Sequence, residues 1–216
     1  MIRAALFDMD GLLFDTENVH NLVLARLGDE YGAPVTFEML LDMLGTNEDA
    51  CSIYLRERYP FLDTAAFWAD FHRGIEEYVR ANGMPIKTGA REILDALRQH
   101  GIKTALVTSS QTSDLECYMG LSGFGECFDV FVTGDMGLKS KPEPDVYLRA
   151  AEKLGVSIGD CVVLEDSLAG LTAGRRAGAT TIMVPDIKPY AGPFVPVTDH
   201  VVPTLLEARD LILEKL

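Results

Sequence analysis

The sequence predicts an α/β protein, a doubly wound parallel sheet with an α-helical segment inserted after the first strand. Three observations carry this expectation. Short apolar runs recur along the chain, separated by amphipathic segments of helix length, the pattern of strands buried on both faces and joined by crossover helices. Residues 16–83 break that alternation and show only helical patterns. Acidic and small polar residues follow several of the apolar runs directly, and ligands of such sheets bind beyond the carboxyl ends of the strands.

The first strand is expected at Ala4–Phe7. Helical spacing then appears at Val19, Leu22, Val23 and Leu27, and again over Met39–Leu44, Ile53–Tyr59 and Phe67–Val79. A structureless loop of this length is rare, so 16–83 is expected to be a helical insertion, with 1–15 and 84–216 forming the α/β core. Met43, Leu44, Phe67, Trp68 and Phe71 are expected inside the insertion's own core rather than on a substrate. Asn82, Gly83 and Pro85 punctuate the return. The segment Ala90–His100 places Ile93, Leu94 and Leu97 on one stripe, with Gly101 where a helix-ending glycine belongs. Strands at Thr104–Val107, Val130–Val132, Cys161–Leu164 and Thr181–Val184 then alternate with helices at Ser113–Leu121, Pro144–Leu154 and Ala169–Ala177.

Composition narrows the function. The 216 residues suit one large domain or one with a modest insertion, and 48% hydrophobic with 24% charged residues is ordinary globular usage. Lys and Arg number 19 against 33 Asp and Glu, for a net charge of −14. That balance argues against nucleic acid and against an anionic membrane surface, both of which need clustered cations. A phosphate-bearing substrate would need a local cation to overcome the field of the chain. Asp8 interrupts the first apolar run before it reaches secretory length, and no run approaches the roughly 18 residues of a membrane span. Cys51, Cys117, Cys127 and Cys161 form no paired motif, so reduced thiols and a cytoplasmic location are expected. A monomer is the expected state, since the pattern reveals no exposed apolar patch.

The chemistry concentrates at strand ends. Asp8-Met9-Asp10-Gly11 follows the first strand. Two carboxylates so placed are unfavourable unless a cation compensates them, and a hard cation such as Mg²⁺ takes oxygen ligands. Alone, the motif reads as well as an Asp-rich surface turn. Glu165-Asp166-Ser167 closes another strand, where Asp166 can converge with Asp8 on one metal; Asp166 or Ser167 could also cap the following helix. Thr108-Ser109-Ser110 offers hydroxyls and backbone N–H groups for an anion, or simply a helix cap. Lys141, fixed by Pro142 ahead of a helix, can neutralise a phosphate and a carboxylate, whereas Lys139 is expected to be a solvated loop residue.

With these four groups in order, the chain resembles the haloacid dehalogenase superfamily over nearly its whole length, the helical cap included. Asp8-Met9-Asp10-Gly11, Thr108, Lys141 and Glu165-Asp166 match its four motifs. Within it, the run from Asp8 to Glu17 and Lys141-Pro142-Glu143-Pro144-Asp145 look like the β-phosphoglucomutase-like phosphatases. The resemblance implies a Rossmann-like core and a Mg²⁺-dependent phosphatase of small phosphorylated metabolites, such as sugar or nucleoside monophosphates. Asp8 would be the nucleophile and Asp10 the acid and base. Asp8, the Asp10 carbonyl, Asp166 and Glu165 would hold Mg²⁺, Glu165 directly or through water. Thr108, Ser109 and Ser110 would bind phosphate oxygens, with Lys141 steadying Asp8 and phosphate. Asp10 sets the chain apart from dehalogenases, whose leaving group needs no proton.

β-Phosphoglucomutase is the alternative activity. His20 matches a histidine of that enzyme near the acid/base, and reads equally as an ordinary helix residue. The stretch Leu44-Gly45-Thr46-Asn47-Glu48 lacks the Lys and Arg that the mutase carries there, which favours hydrolysis. A phospho-accepting signalling domain fits less well, because the acceptor Asp lies on the first strand and the chain carries a helical insertion.

Overall fold

The computed structural model describes residues 1–43, 48–187 and 190–215. In chain order the elements are β1 (Ala4–Phe7), α1 (Thr16–Glu30), α2 (Phe37–Met43), α3 (Glu48–Arg58), α4 (Thr64–Asn82), α5 (Ala90–Gln99), β2 (Lys103–Val107), α6 (Thr112–Ser122), β3 (Val130–Val132), α7 (Asp145–Leu154), β4 (Cys161–Glu165), α8 (Leu168–Ala177), β5 (Thr180–Met183), β6 (His200–Val201) and α9 (Leu205–Lys215). The chain divides into two compact units, Met1–Asp15 with Met84–Leu216, and Thr16–Gly83.

The first unit is built on one parallel sheet of order β3-β2-β1-β4-β5-β6. β1 lies at its centre, with Phe7 paired to Leu106 on one side and Leu164 on the other. All four β1 residues are buried, as a strand covered on both faces requires. Ala4 and Leu6 pack with Val107, Val163, Val146, Tyr147 and Ala150 on one face. Phe7 points to the opposite face, its ring edge-on to Phe128 at 6.0 Å between centroids. β6 and α9 were not expected from the sequence. β6 has only two residues, too few to show a period, and α9 packs against α5.

Helix ends follow the local chemistry. Ser167 caps α8, its hydroxyl accepting from Gly170 N at 3.0 Å. For α6 the expectation of a Ser109 or Ser110 cap is corrected: the cap is Gln111, whose N–H donates to the Asp114 carboxylate at 3.3 Å. Ser110 turns its hydroxyl to Asp10 instead, at 2.7 Å.

The second unit holds α1 to α4, with α1 and α3 packed on α4. Phe67, Phe71, Ile75 and Val79 form the buried i, i+4 stripe of α4. Asp63 caps that helix by accepting from Ala65 N and Ala66 N, both at 3.1 Å. Met43 is buried and Trp68 is half-buried, its indole N–H donating to Ser52 Oγ at 2.7 Å. Leu44 lies outside the described residues. Leu22, Phe37, Leu41, Ile53 and Phe61 are exposed on this unit, so its surface is more apolar than the sequence pattern suggested.

Candidate active site

Parallel strands in register deliver their next residues to one edge of the sheet. Asp8 follows β1, with its N–H donating to Leu164 O at 3.1 Å; Thr108 follows β2, with its N–H donating to Val132 O at 2.9 Å. Glu165 is the last residue of β4 and Asp166 the next. Past Asp8 the chain turns back at once, with Gly11 N–H donating to Phe14 O at 2.9 Å. Gly11 adopts φ +79°, and a Cβ there would stand 2.5 Å from Asp166 Oδ2. Only glycine satisfies both conditions.

Lys141 enters from the loop before α7 and is almost wholly buried, at 6% side-chain exposure. Its ammonium donates to the Asp8 carboxylate, to Glu165 Oε1 at 2.7 Å and to Val107 O at 3.0 Å, which uses all three of its protons. Lys139 is exposed. Glu165, fully buried, accepts four hydrogen bonds. Oε1 takes Lys141 and the Tyr147 hydroxyl at 2.8 Å; Oε2 takes Ser167 N at 3.1 Å and Ser167 Oγ at 2.8 Å. α8 can approach this carboxylate because residue 170 is glycine, where a Cβ would stand 1.6 Å from Oε1.

Asp10 is held from the neighbouring strand end. Its Oδ2 accepts from Thr108 Oγ at 3.2 Å and from Ser110 Oγ at 2.7 Å. Ser110 N–H in turn donates to Thr108 Oγ at 2.9 Å. Ser109 is exposed on the same turn. His20 sits on α1 in the second unit, its ring edge-on to Phe71 at 5.5 Å.

The charges do not balance. Burial, then the neighbouring Glu165 carboxylate, push the Asp8 carboxyl well above the ordinary range, even against Lys141. Asp166 is raised for the same reason, by burial and by Glu165, Asp8 and Asp186. Burial alone would raise Glu165 and lower Lys141, but charge partners and hydrogen bonds reverse both: Lys141, with Tyr147 and Ser167, brings Glu165 down, and Asp8, then Glu165, bring Lys141 up. Oxygens of Asp8, Glu165 and Asp166 all lie within 4.8 Å of one another. An all-oxygen cluster carrying more negative charge than one lysine offsets fits a hard divalent cation.

The haloacid dehalogenase-like hydrolase family model matches residues 5–184, most of the chain. The chain belongs to that family. The "Phosphorylated carbohydrates phosphatase" of Thermotoga maritima is 32% identical over 182 residues, covering 84% of each chain. The "Bifunctional riboflavin kinase/FMN phosphatase" of Arabidopsis thaliana is 30% identical over 94% of this chain, which spans only 54% of that protein's length. Among solved structures, a putative β-phosphoglucomutase from Thermotoga maritima superposes with a TM-score of 0.87 at 28% identity, covering 100% of both chains. These likenesses place this haloacid dehalogenase-like hydrolase in the β-phosphoglucomutase-like branch.

Sequence reasoning missed Tyr147, Ser167 as a partner of Glu165, and Asp186. Tyr147 hides on the apolar face of α7 among Val146, Ala150, Ala151 and Leu154, where an aromatic ring signals packing and its hydroxyl goes unread. Asp186 did carry a signal: it stands just beyond β5, the same kind of position that singled out Asp8 and Asp166 in this hydrolase.

Proposed function

We propose that the chain is a Mg²⁺-dependent phosphatase of small phosphorylated metabolites, sugar or nucleoside monophosphates, working through an aspartyl phosphate on Asp8. The observation that carries this reading is the pairing of two differently held carboxylates at one strand end. Asp8 is buried against Lys141, and Asp10 is hydrogen-bonded by Thr108 and Ser110. Pairs of acids in unlike environments suit unlike roles.

In the first half-reaction an Asp8 carboxylate oxygen bonds to phosphorus while the bond from phosphorus to the leaving oxygen breaks, and Asp10 supplies the proton that oxygen takes up. In the second, Asp10 takes a proton from water as the water oxygen bonds to phosphorus and the bond to Asp8 breaks. The Ser109 N–H binds an equatorial oxygen, and the Thr108 hydroxyl binds another by turning its proton from Asp10 to the phosphate, Ser110 staying on Asp10. Lys141 holds the Asp8 carboxylate in place and offsets phosphate charge, itself held by Glu165. Ser110, whose hydroxyl is on Asp10, orients the acid. Asp8, Asp166 and the Asp10 carbonyl would hold Mg²⁺, with Glu165 behind them; the bound cation supplies charge neutralisation on the transferring group.

The related carbohydrate phosphatase supports a sugar phosphate substrate, and the FMN phosphatase name supports the wider class of small phosphomonoesters. No helix among the described residues is long and apolar enough to cross a membrane; the acidic balance supports an enzyme that binds neither nucleic acid nor an anionic membrane surface, and the free cysteines support a cytoplasmic location. A monomer is the working state of this reading. The structural likeness to a putative β-phosphoglucomutase favours mutase activity as the second reading. Leu44, Gly45, Thr46 and Asn47, which bear on it, lie outside the described residues. The test is phosphate release from a panel of sugar and nucleoside monophosphates, with Mg²⁺ and with chelator. Phosphate release that the chelator abolishes is the expected result. Glucose 6-phosphate formed from β-glucose 1-phosphate without free phosphate would make the enzyme a mutase.

A further inference from the structure

Asp186 lies just beyond β5 and contributes to no step described above. Its side chain is 10% exposed. One oxygen, Oδ1, accepts from Lys87 Nζ at 2.6 Å. The other, Oδ2, is buried and has no hydrogen-bond partner among the described residues. A buried carboxylate oxygen without a donor is costly, and native structures rarely leave one so.

The location of Oδ2 is informative. It lies 3.2 Å from the point a Cβ on Gly11 would occupy, and Asp166 Oδ2 lies 2.5 Å from that same point. The unpartnered oxygen and Asp166 Oδ2 therefore both border the point that a side chain on Gly11 would fill. Lys87 also stands 3.7 Å from Asp15 Oδ1. It pairs with Asp186 through Oδ1 only and leaves Oδ2 without a donor.

We propose that Asp186 is an outer ligand of the divalent cation, accepting through Oδ2 a hydrogen bond from water in the cation's hydration shell. Mg²⁺ dehydrates reluctantly and keeps several waters when proteins bind it. Those waters need acceptors, and Oδ2 is a buried acceptor in want of a donor. Partners of this kind orient the inner ligands and raise metal affinity without touching the metal. Gly11 would keep the space clear for the water. The inference rests on Asp8 and Asp166 being the cation's carboxylates.

The experiment is calorimetric titration of Mg²⁺ into the substrate-free protein, with the melting temperature of each variant measured in chelator. Asp186→Ala is expected to weaken Mg²⁺ binding roughly 10–100-fold, the usual cost of losing such a partner. Asp186→Asn keeps the shape and an acceptor, and is expected to weaken binding less. Lys87→Met breaks the ion pair and keeps the carboxylate, so Mg²⁺ affinity is expected to hold or rise. Parental affinity in a folded Asp186→Ala or, should that variant not fold, in Asp186→Asn would overturn the inference while leaving the catalytic reading intact. Equal losses in Lys87→Met and Asp186→Ala would assign the effect to the ion pair and also overturn it. A parent protein that binds no Mg²⁺, with Asp166→Ala indistinguishable from it, would overturn the catalytic reading and this inference together.

Discussion

Tyr147→Phe isolates one hydrogen bond in the most constrained part of the site. Tyr147 is fully buried, and its hydroxyl donates to Glu165 Oε1 at 2.8 Å. Its ring also lies 5.2 Å from Lys141 Nζ, close enough for a cation–π contact that phenylalanine retains. The substitution therefore removes one donor to a buried charged acceptor and little else. Hydrogen bonds to charged groups contribute roughly 1.5–3 kcal/mol. The loss should fall in the lower part of that range, because Lys141 and both Ser167 donors remain on Glu165. For a chain of this size, that corresponds to a fall in melting temperature of about 3–8 °C. The same change should lower kcat while leaving KM nearly unaltered, since the hydroxyl touches the support of Lys141 and not the substrate. The alkaline limb supplies a second readout. Burial, then Glu165, hold the Tyr147 hydroxyl well above its ordinary value. The stability it contributes is complete below a pH of about 10 and is lost as pH rises beyond that. The variant should therefore lose less stability than the parent on going to strongly alkaline pH. Urea unfolding followed by far-ultraviolet circular dichroism, in chelator, measures both effects. A variant within about 0.5 kcal/mol of the parent at neutral pH would refute the claim that Tyr147 holds Glu165.

Four further outcomes are expected. Asp8→Asn abolishes turnover with the circular dichroism spectrum unchanged, because the proposed nucleophile is lost and the shape is kept; substantial phosphate release from that variant would sink the covalent mechanism. Asp10→Asn slows turnover by roughly 10²–10⁴-fold, measured as initial rates at saturating Mg²⁺. Gly170→Ala places a methyl group 1.6 Å from Glu165 Oε1, so either the carboxylate or α8 must move; a melting temperature equal to the parent's would show that the approach is not as tight as described. Burial, then Asp160, push the Cys161 thiol up to about 11 from an ordinary 9.0. It should resist thiol reagents at pH 8 until the protein is unfolded, and its contribution to stability should be lost as pH rises from about 9 through 11.

Much of the core was readable before folding because buried parallel strands leave a simple trace. Ala4–Phe7 and Val130–Val132 were read at their observed bounds, and the other long strands within a residue or so at each end. The two-residue β6 left no period to read, and α9 was not read at all. The acidic residues past strand ends were legible for a related reason. Carboxylates cannot propagate a buried strand, so their presence there calls for compensation.

What the sequence determined by itself was a set of polar groups at strand ends and the family pattern they match. What only the tertiary structure decided was which atoms meet. Lys141 and Lys139 are two residues apart, yet one is buried against Asp8 and the other is exposed. Glu165 spends all four acceptor positions on Lys141, Tyr147 and Ser167. Asp186 is separated from Asp8 by most of the chain, yet its Oδ2 and that of Asp166 border the same point beside Gly11. Strand periodicity is a local property and survives in one dimension. The pairing of buried charges is set by the register of parallel strands that crossover helices keep far apart in sequence, and no local pattern records it.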